Sequence, residues 1–434
     1  MYKDAVRYLD SLSDHEKTGL DCLKGRYDLG KLKRILSRMG DPQDDFRSVH
    51  IAGTKGKGSV SVFVSSILRE AGLDVGLFTS PHLADPRERI SVNGSMISEA
   101  ELESSVSLLK EALSGEVISF FEAYTLIALE HFSRKKVDFA VLECGLGGRL
   151  DATNVVGAEV CGIAPISYDH MQVLGTKIEE IAGEKAAIIK KGSVCVSSPQ
   201  RSEVMRVISE KCRKEEAPLS VTGKDTTYFL KEAGEQGSVF DIKGKKADYI
   251  GCRTVMPGAF QVENAATAIG IIENIKGDVL GDSSLAPREV VKSGILKAFL
   301  PGRMEILCRE PLFVIDGAQN AESASRLKYS VEEIFKYDRL ILLLGLSADK
   351  DIRGVCRELV PLADEIVLTK AQVARAADPH IIRGYIRAGK VRIARDVKES
   401  LGIVFGLAGK TDMVLAAGSF YLIGEIRNEL QKRR

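Results

Sequence analysis

The chain has 434 residues and a formal net charge of +1, and this length suits two or three domains of about 150 residues each. Hydrophobic residues make up 44% of the chain and charged residues 28%, which is typical of globular proteins. The balanced charge argues against a broad nucleic-acid-binding surface, and the eight scattered cysteines lack C-x-x-C spacing, which argues against a disulfide framework or a zinc cluster.

The chain begins Met1-Tyr2-Lys3-Asp4, a mixed and charged start that does not resemble a signal peptide. The densest apolar run, Leu340 to Leu346, is too short to span a bilayer. We expect a cytoplasmic protein without nucleic-acid or membrane partners, and a monomer.

The stretch from Val49 to Val60 predicts a strand, a glycine-rich turn and a helix that begins near Ser59. Glycines allow backbone N–H groups to approach a ligand, and the helix N-terminus favours an anion. Lys57 is placed to reach a β- or γ-phosphate, so ATP binding is predicted. The candidate nucleotide-binding residues of this turn are Gly53, Thr54, Gly56, Lys57, Gly58 and Ser59.

The phosphate turn departs from the common P-loop pattern, in which Ser or Thr directly follows the lysine and holds Mg²⁺. Here Gly58 follows Lys57, and the hydroxyl comes one residue later at Ser59. A metal ligand must therefore come from elsewhere in the chain. The alternative interpretation is a sharp turn without nucleotide.

Strands alternate with helices after this turn, which predicts a doubly wound parallel sheet. Val75 to Thr79 and Val137 to Leu142 are predicted strands, and Ser80 and Glu143 follow them directly. Ligands bind beyond the carboxyl ends of such strands. Ser80 and Glu143 are therefore candidate site residues on the same edge as the phosphate turn.

Three further features lie along this part of the chain. A glycine-rich segment runs from Cys144 to Asp151, and Asp169-His170 follows a strand predicted from Val160 to Pro165. Lys185 lies within a helix predicted from Ile178 to Lys190, and its pattern alone favours a surface lysine whose stem covers apolar neighbours.

Leu300-Pro301-Gly302-Arg303 interrupts the pattern and predicts a domain boundary, with domains at 1–300 and 301–434. The second domain is predicted to be a smaller α/β unit. Polar residues again follow its strands, at Asp316 to Asn320, Asp349 to Asp351 and Gly418-Ser419. Two domains with polar strand ends predict a reaction in the cleft between them.

These motifs together resemble the folylpolyglutamate synthase and dihydrofolate synthase family of the Mur ligase superfamily. The resemblance runs from about Tyr27 to the C-terminus. Its motifs are Ala52 to Ser59, Phe78 to Leu83 with Glu88 to Ile90, Gly145 to Asn154, Pro301 to Arg303, and Asp316 to Ala318.

The resemblance implies a P-loop-type ATPase domain, a Rossmann-like C-terminal domain and ATP-dependent joining of L-glutamate to a dihydropteroate or reduced folate carboxylate through an acyl phosphate. Such chemistry needs charge neutralisation and positioning of two anions. It implies that ATP binds with Mg²⁺, with a monovalent cation as an optional addition.

The resemblance also implies residue roles. Lys57 would neutralise phosphate charge, and Ser80, Glu143 and His170 would be magnesium ligands, although His nitrogen is an unusual partner for Mg²⁺. Lys185 matches a lysine that the family carries as a carbamate. Asn264 matches the adenine-side residue, and Arg303 and Asp316 match ATP contacts delivered by the C-terminal domain and the linker.

The substrate side is implied in the same way. The segments that match dihydropteroate-binding positions are Tyr27-Asp28-Leu29, Ser119-Phe120-Phe121 and Leu150-Asp151-Ala152. Phe121 could stack on a flat ring, and Asp151 could accept hydrogen bonds from a pterin's amino edge. Taken alone, a Phe-Phe pair is more often part of a core. Gln319 and Ser419 are candidates near the incoming amino acid.

Three positions depart from the family pattern. Gln319 stands where His is usual, Phe260 replaces a frequent His, and Lys55 replaces a frequent Asn. Gln keeps a donor but cannot become cationic, which leaves the amino-acid preference open. Two alternatives to a folate ligase stay open from the residues: a superfamily ligase for another carboxylate, such as a modified pterin or cell-wall precursor, and a P-loop protein that couples hydrolysis to partner binding.

Overall fold

The computed structural model describes residues 1–13, 28–281, 287–387 and 389–432. Three sheets are present among these residues, with eight, three and six strands. The strands are β1 (Arg47–Ala52), β2 (Val75–Phe78), β3 (Ile90–Val92), β4 (Ser95–Met96), β5 (Phe139–Glu143), β6 (Val160–Ile163), β7 (Val194–Ser197), β8 (Leu219–Val221), β9 (Thr227–Gly234), β10 (Gly237–Lys243), β11 (Asp248–Thr254), β12 (Glu305–Arg309), β13 (Leu312–Asp316), β14 (Leu340–Leu344), β15 (Glu365–Leu368), β16 (Lys390–Ile393) and β17 (Met413–Ala417).

The helices alternate with these strands. The α-helices of the described residues are α1 (Tyr2–Ser11), α2 (Leu29–Arg38), α3 (Lys57–Glu70), α4 (Glu99–Leu113), α5 (Phe120–Arg134), α6 (Met171–Leu174), α7 (Ile178–Ala186), α8 (Ser202–Lys214), α9 (Ala259–Asn274), α10 (Pro287–Lys297), α11 (Ala321–Ile334), α12 (Ile352–Leu359), α13 (Pro379–Arg383), α14 (Val397–Leu407) and α15 (Phe420–Gln431). Short 3₁₀ turns cover Pro42–Asp44, Pro86–Arg89, Ala152–Val155 and Val360–Leu362. None of the helices described here is long and apolar enough to cross a membrane.

The first sheet has the strand order β4-β3-β2-β5-β1-β6-β7-β8. From β2 to β8 every pair is parallel, as predicted, whereas β3 pairs antiparallel with both β2 and β4. The predicted parallel sheet is therefore correct for its centre and wrong for one edge. A hairpin can add strands there without a crossover helix.

Successive side chains of the central strands enter two different cores. In β1, Val49 and Ile51 pack with α3, α9 and α10, whereas Ala52 belongs to the core on the opposite face. A parallel sheet covered on both faces is expected to be buried on both, and this explains why the strands contain so few polar residues. Because these strands are parallel, the carboxyl ends of β1, β2, β5 and β6 share one edge of the sheet.

The six-stranded sheet has the order β12-β13-β17-β14-β15-β16 and is parallel except for the edge strand β12. Its two faces are also separate cores: Leu342 lies on one face and Leu343 on the other. The sequence predicts five strands in this region, and all five are present: Leu312 to Ile315, Leu340 to Leu344, Glu365 to Thr369, Val391 to Ile393 and Met413 to Ala416. Strand β12 is an additional strand that was not predicted. The second predicted α/β fold is confirmed.

Several helix boundaries differ from prediction. The helix after the phosphate turn begins at Lys57 and not near Ser59, because Gly56 adopts φ 81° and the helix follows directly. The sequence predicts a helix from Asn264 to Ile275, whereas helix α9 begins five residues earlier, at Ala259. Helix α7 ends at Ala186 and not at Lys190. The N–H groups of Ile188 and Ile189 donate to carbonyls three residues earlier, as in a 3₁₀ turn, and not four residues earlier.

Candidate active site

A cavity of about 720 Å³ lies between the edge of the first sheet and the six-stranded sheet. Elements of both sheets contribute to its walls. The predicted site residues that line it are Gly53, Thr54, Gly56, Lys57, Gly58, Ser59, Ser80, Ser119, Phe121, Glu143, Leu150, Asp151, Ala152, His170, Lys185, Asn264, Arg303, Asp316 and Gln319. Residues predicted from distant parts of the sequence are thus brought together.

Four predicted site residues within the described part of the chain do not line this cavity. Tyr27 lies outside the described residues. Asp28 is exposed and caps helix α2 through the N–H of Gly30, and Leu29 packs against the N-terminal core. Phe120 is buried against Tyr124, with ring centres 4.6 Å apart, and Ser419 is buried at the start of α15.

Two glycines of the phosphate turn pack so closely against neighbouring residues that a side chain at either position would not fit. Gly53 has φ 152°, and a Cβ there would lie 2.7 Å from the Cβ of Ala164. A Cβ on Gly56 would lie 2.5 Å from Asn264 Oδ1. Only glycine fits at these two positions, so the turn is fixed between the segment after β6 and helix α9, while its N-terminal helix end faces the cavity.

Glu143 connects the phosphate turn with the end of β2. Its Oε2 accepts a hydrogen bond from the Ser80 N–H at 3.1 Å, and its Oε1 lies 3.8 Å from Lys57 Nζ. The family resemblance implies that Ser80 comes from the strand next to the phosphate turn. This expectation is wrong, because β5 lies between β1 and β2. Glu143 occupies that intermediate position.

Lys185 is buried, not on the surface. Its side chain is 5% exposed, and Nζ donates a hydrogen bond to the Gly53 carbonyl at 3.0 Å. Burial, with a smaller contribution from the positive charge of Lys57, lowers the pKa of Lys185 to about 7. The prediction of a snorkelling lysine is wrong because the neighbouring turn, distant in sequence, covers this helix face.

Asp169 is a site residue that the sequence reading passed over. Its carboxylate accepts hydrogen bonds from Lys55 Nζ and from Asn320 Nδ2, each at 3.3 Å, and lies 3.5 Å from Lys350 Nζ. Burial raises the pKa of this carboxyl group. The positive charges nearby outweigh that effect and hold the pKa well below its usual range. Its position after β6, directly before His170, was the available signal.

His170 reaches the cavity from a residue in left-handed backbone conformation, with φ 50°. Its Nε2 lies 3.8 Å from Asp169 Oδ1. Burial lowers the pKa of His170 to about 3, despite the opposing charge of Asp169, so the ring is neutral near pH 7. A neutral imidazole has a nitrogen lone pair available for a ligand.

Arg303, in the segment before β12, and Asp316, at the end of β13, reach the cavity from the C-terminal part of the chain. The Arg303 guanidinium lies 4.3 Å from the centre of the Phe420 ring. Burial lowers the pKa of Arg303, while the charges of Asp316 and Glu143 oppose this. Asp316 accepts the N–H groups of Met304 and Ala318 at 3.0 and 2.8 Å, so the segment that carries Arg303 is tied to the end of β13.

The opposite end of the cavity is more apolar. Phe121 lies against Phe78, with ring centres 5.7 Å apart, and a Cβ on Gly145 would lie 2.5 Å from Phe121 Cζ. Asp151 is 6% exposed and accepts the Leu146 N–H at 2.8 Å. An aromatic face beside a buried carboxylate suits a flat ring that carries amino groups.

Two family descriptions match the chain. The Mur ligase middle domain matches residues 51–272, and the Mur ligase glutamate ligase domain matches residues 302–420. The "Dihydrofolate synthase/folylpolyglutamate synthase" of Bacillus subtilis is 34% identical over 93% of this chain and 95% of its own length. The chain belongs to this family of Mur ligases. It is therefore an ATP-dependent ligase.

Solved structures of this family agree with the fold. Mycobacterium tuberculosis folylpolyglutamate synthase complexed with ADP has a TM-score of 0.88 at 29% identity, covering 99% of this chain and 98% of its own. Escherichia coli FolC in complex with DHPP and ADP has a TM-score of 0.88 at 26% identity, covering 100% of this chain and 98% of its own. The predicted family and fold are confirmed.

Proposed function

We propose that the chain joins L-glutamate to dihydropteroate, to reduced folates, or to both, at the expense of ATP. In this reaction a carboxylate oxygen of the acceptor attacks the γ-phosphorus, and ADP leaves. The glutamate amine then attacks the acyl carbon, loses a proton and displaces phosphate, so that an amide forms. The activity rests on placing two anionic substrates beside a triphosphate.

One observation carries this proposal: Lys57, Glu143 and Arg303 line one cavity although they come from the phosphate turn, the end of β5 and the segment before β12. A cationic pair around developing phosphoryl charge is what such chemistry requires. We propose that residues 1–300 and residues 301–434 form two domains, and that the reaction takes place between them.

The nucleotide would occupy the turn. Gly53, Thr54, Gly56, Gly58 and Ser59 would supply the phosphate cradle, where side chains at two of the glycines would be excluded by Ala164 and Asn264. Asn264 would lie beside adenine, and Arg303 with Asp316 would contact the nucleotide from the C-terminal part. The cited ADP complexes of similar proteins support a nucleotide site here.

The donor set near Glu143 fits Mg²⁺. This ion prefers oxygen ligands, and the Ser80 N–H contact at 3.1 Å brings the Ser80 residue to the Glu143 carboxylate. Among residues 1–13, 28–281, 287–387 and 389–432, no group of three or more His, Cys, Asp or Glu side chains could hold a metal. The protein would therefore supply only part of the coordination, from Ser80, Glu143 and His170. Oxygens of the nucleotide would supply the rest. When bound, Mg²⁺ would neutralise phosphoryl charge.

The acceptor would occupy the apolar end. Ser119, Phe121 and the segment Leu150 to Ala152 line it, and E. coli FolC in complex with DHPP supports a pterin acceptor. L-glutamate would approach from Gln319, on the C-terminal side. Lys185 would act as a carbamate, since a low pKa provides the neutral amine. Monomeric state and cytoplasmic location stay predictions.

Release of ADP tests the proposal. The enzyme is incubated with ATP, Mg²⁺ and L-glutamate, and with dihydropteroate, tetrahydrofolate or a cell-wall precursor as acceptor. Glutamate-dependent release is expected with one or both pterin acceptors. Release with the cell-wall precursor alone would overturn the folate assignment and favour another ligase of the superfamily.

A further inference from the structure

A path of buried polar side chains lies beneath the apolar end of the cavity. Asp151 reaches the cavity, whereas Thr153 and His50 are 0% exposed. The Thr153 hydroxyl is hydrogen-bonded to Asp151 Oδ1, and His50 Nε2 lies 2.7 Å from Thr153 Oγ1. Cys144 Sγ lies 3.0 Å from the same histidine nitrogen. Polar groups at this depth cost free energy unless they bind one another.

The hydrogen bonds of this path run in one direction. A carboxylate only accepts, so Thr153 donates its hydroxyl proton to Asp151 and accepts one from His50 Nε2. Among the described side chains, His50 Nδ1 has no hydrogen-bond partner. An unprotonated nitrogen fits that position, because a buried donor without a partner is costly. Burial lowers the pKa of His50 to about 3, so the ring is neutral.

The path fixes the Asp151 carboxylate on both oxygens. Oδ1 accepts the Thr153 N–H at 3.0 Å as well as the Thr153 hydroxyl, and Oδ2 accepts the Leu146 N–H at 2.8 Å. A carboxylate has roughly four acceptor positions. One position on Oδ2 is therefore left for a donor of a ligand, while rotation of the carboxylate is prevented.

We propose that His50 and Thr153 are positioning residues that hold Asp151 in the orientation that accepts hydrogen bonds from the amino edge of a pterin. The inference rests on the proposed function, which places the pterin beside Asp151. Neither His50 nor Thr153 lines the cavity, so each acts through Asp151. Their loss should weaken pterin binding and leave ATP binding unchanged.

The Thr153→Val variant tests this directly, because valine keeps the shape and removes the hydroxyl. We expect the KM for dihydropteroate to rise about tenfold, as for one lost hydrogen bond to a charged group. The KM for ATP and kcat should change little. Thr153→Ser restores the hydroxyl and should restore the KM.

A matched control separates positioning from general stability. Thr222 is also buried, and its hydroxyl accepts a hydrogen bond from Thr267 Oγ1 at 3.2 Å. Thr222→Val should lower the thermal midpoint as Thr153→Val does, with the KM for dihydropteroate unchanged. In the wild-type protein, ¹⁵N NMR should place the His50 proton on Nε2; a proton on Nδ1 would contradict the direction of the path.

The Asp151→Asn variant distinguishes failure of this inference from failure of the proposed function. If Asp151→Asn raises the KM for dihydropteroate and Thr153→Val does not, the positioning role is overturned and the pterin site stands. If Asp151→Asn also leaves that KM unchanged, the pterin contact and the positioning role fall together. If no pterin supports ADP release, the proposed function itself is wrong.

Discussion

Lys350 and Asp169 meet across the cavity, with Nζ 3.5 Å from Oδ1, although they follow strands of two different sheets. Their side chains are 6% and 13% exposed, so solvent screens the attraction weakly. The same carboxylate binds Lys55 of the phosphate turn. Asp169 therefore links the phosphate turn to the C-terminal sheet through its two ion pairs, with Lys55 and with Lys350.

Asp169→Asn is expected to lower the free energy of unfolding by about 3 kcal/mol, because Lys55 and Lys350, which are both partly buried, lose their counter-charge. The pKa of Asp169 is held below its ordinary value in the folded chain. Its contribution is therefore present above about pH 4 and is lost as the pH falls through the folded pKa. Urea titrations of both proteins over the acidic range measure the difference.

A double-mutant cycle with Lys350→Gln gives the control for this pair. Coupled partners should show a non-additive free energy. The exposed pair Lys292–Glu289, with Nζ 3.0 Å from Oε1, should couple by about 0.5 kcal/mol or less. Additive effects of Asp169→Asn and Lys350→Gln would show that the two residues are not coupled.

The parts of the site that the sequence predicts are those set by local rules. Glu143 was placed correctly because a carboxylate directly after an apolar strand lies at a known edge of the sheet. The spacing of Ser98 and Glu101 predicts a capping box at the start of a helix, and the structure shows this reciprocal capping box in α4. Both depend only on neighbours in the chain.

The parts that sequence reasoning missed depend on distant neighbours. Phe120 and Phe121 are adjacent, yet successive helix residues point about 100° apart, and only the packing of α5 decides that Phe121 lines the cavity. The helix pattern around Lys185 predicts a surface residue, but the phosphate turn at Gly53, which is distant in sequence, covers its side chain. The role of Asp169 in linking two parts of the chain depends on Lys350, which follows a strand of another sheet.

Lys57→Ala is expected to reduce kcat by a factor of about 10³ or more, because a cation near developing phosphoryl charge is lost. The fold should persist, since Lys57 begins a helix and contacts Glu143 only at 3.8 Å. ADP release and circular dichroism measure the two effects. An exposed lysine, Lys410, provides the control variant, and unchanged turnover in Lys57→Ala would reject the assignment.

Glu143→Gln keeps the size of the side chain and removes its charge. We expect the Mg²⁺ concentration needed for half-maximal ADP release to rise at least about tenfold, because a carboxylate is a much better ligand for this ion than an amide. Glu130→Gln is a matched control, since Glu130 is buried and bound to Ser105 away from the cavity. Equal Mg²⁺ titrations for both variants would count against a metal at Glu143.

Lys185 provides a pH-dependent test. A carbamate forms only from the neutral amine, and the pKa of Lys185 is about 7 because of burial and then Lys57. In enzyme depleted of CO₂, added bicarbonate should therefore restore ADP release well above this pH and progressively less as the pH falls through it. A carbamate nitrogen keeps one N–H, so a modified Lys185 would still have a donor for the Gly53 carbonyl, which its Nζ contacts at 3.0 Å.

The modification itself is detected with ¹³C-labelled bicarbonate. A carbamate carbon resonance should be present in the wild-type protein and absent in Lys185→Met. Lys190→Met is the control, since Lys190 Nζ already donates to the carbonyls of Asn154 and Val156 at 2.8 and 2.7 Å and lies outside the cavity lining. If the resonance persisted in Lys185→Met, or if bicarbonate had no effect at any pH, Lys185 would act as an unmodified amine.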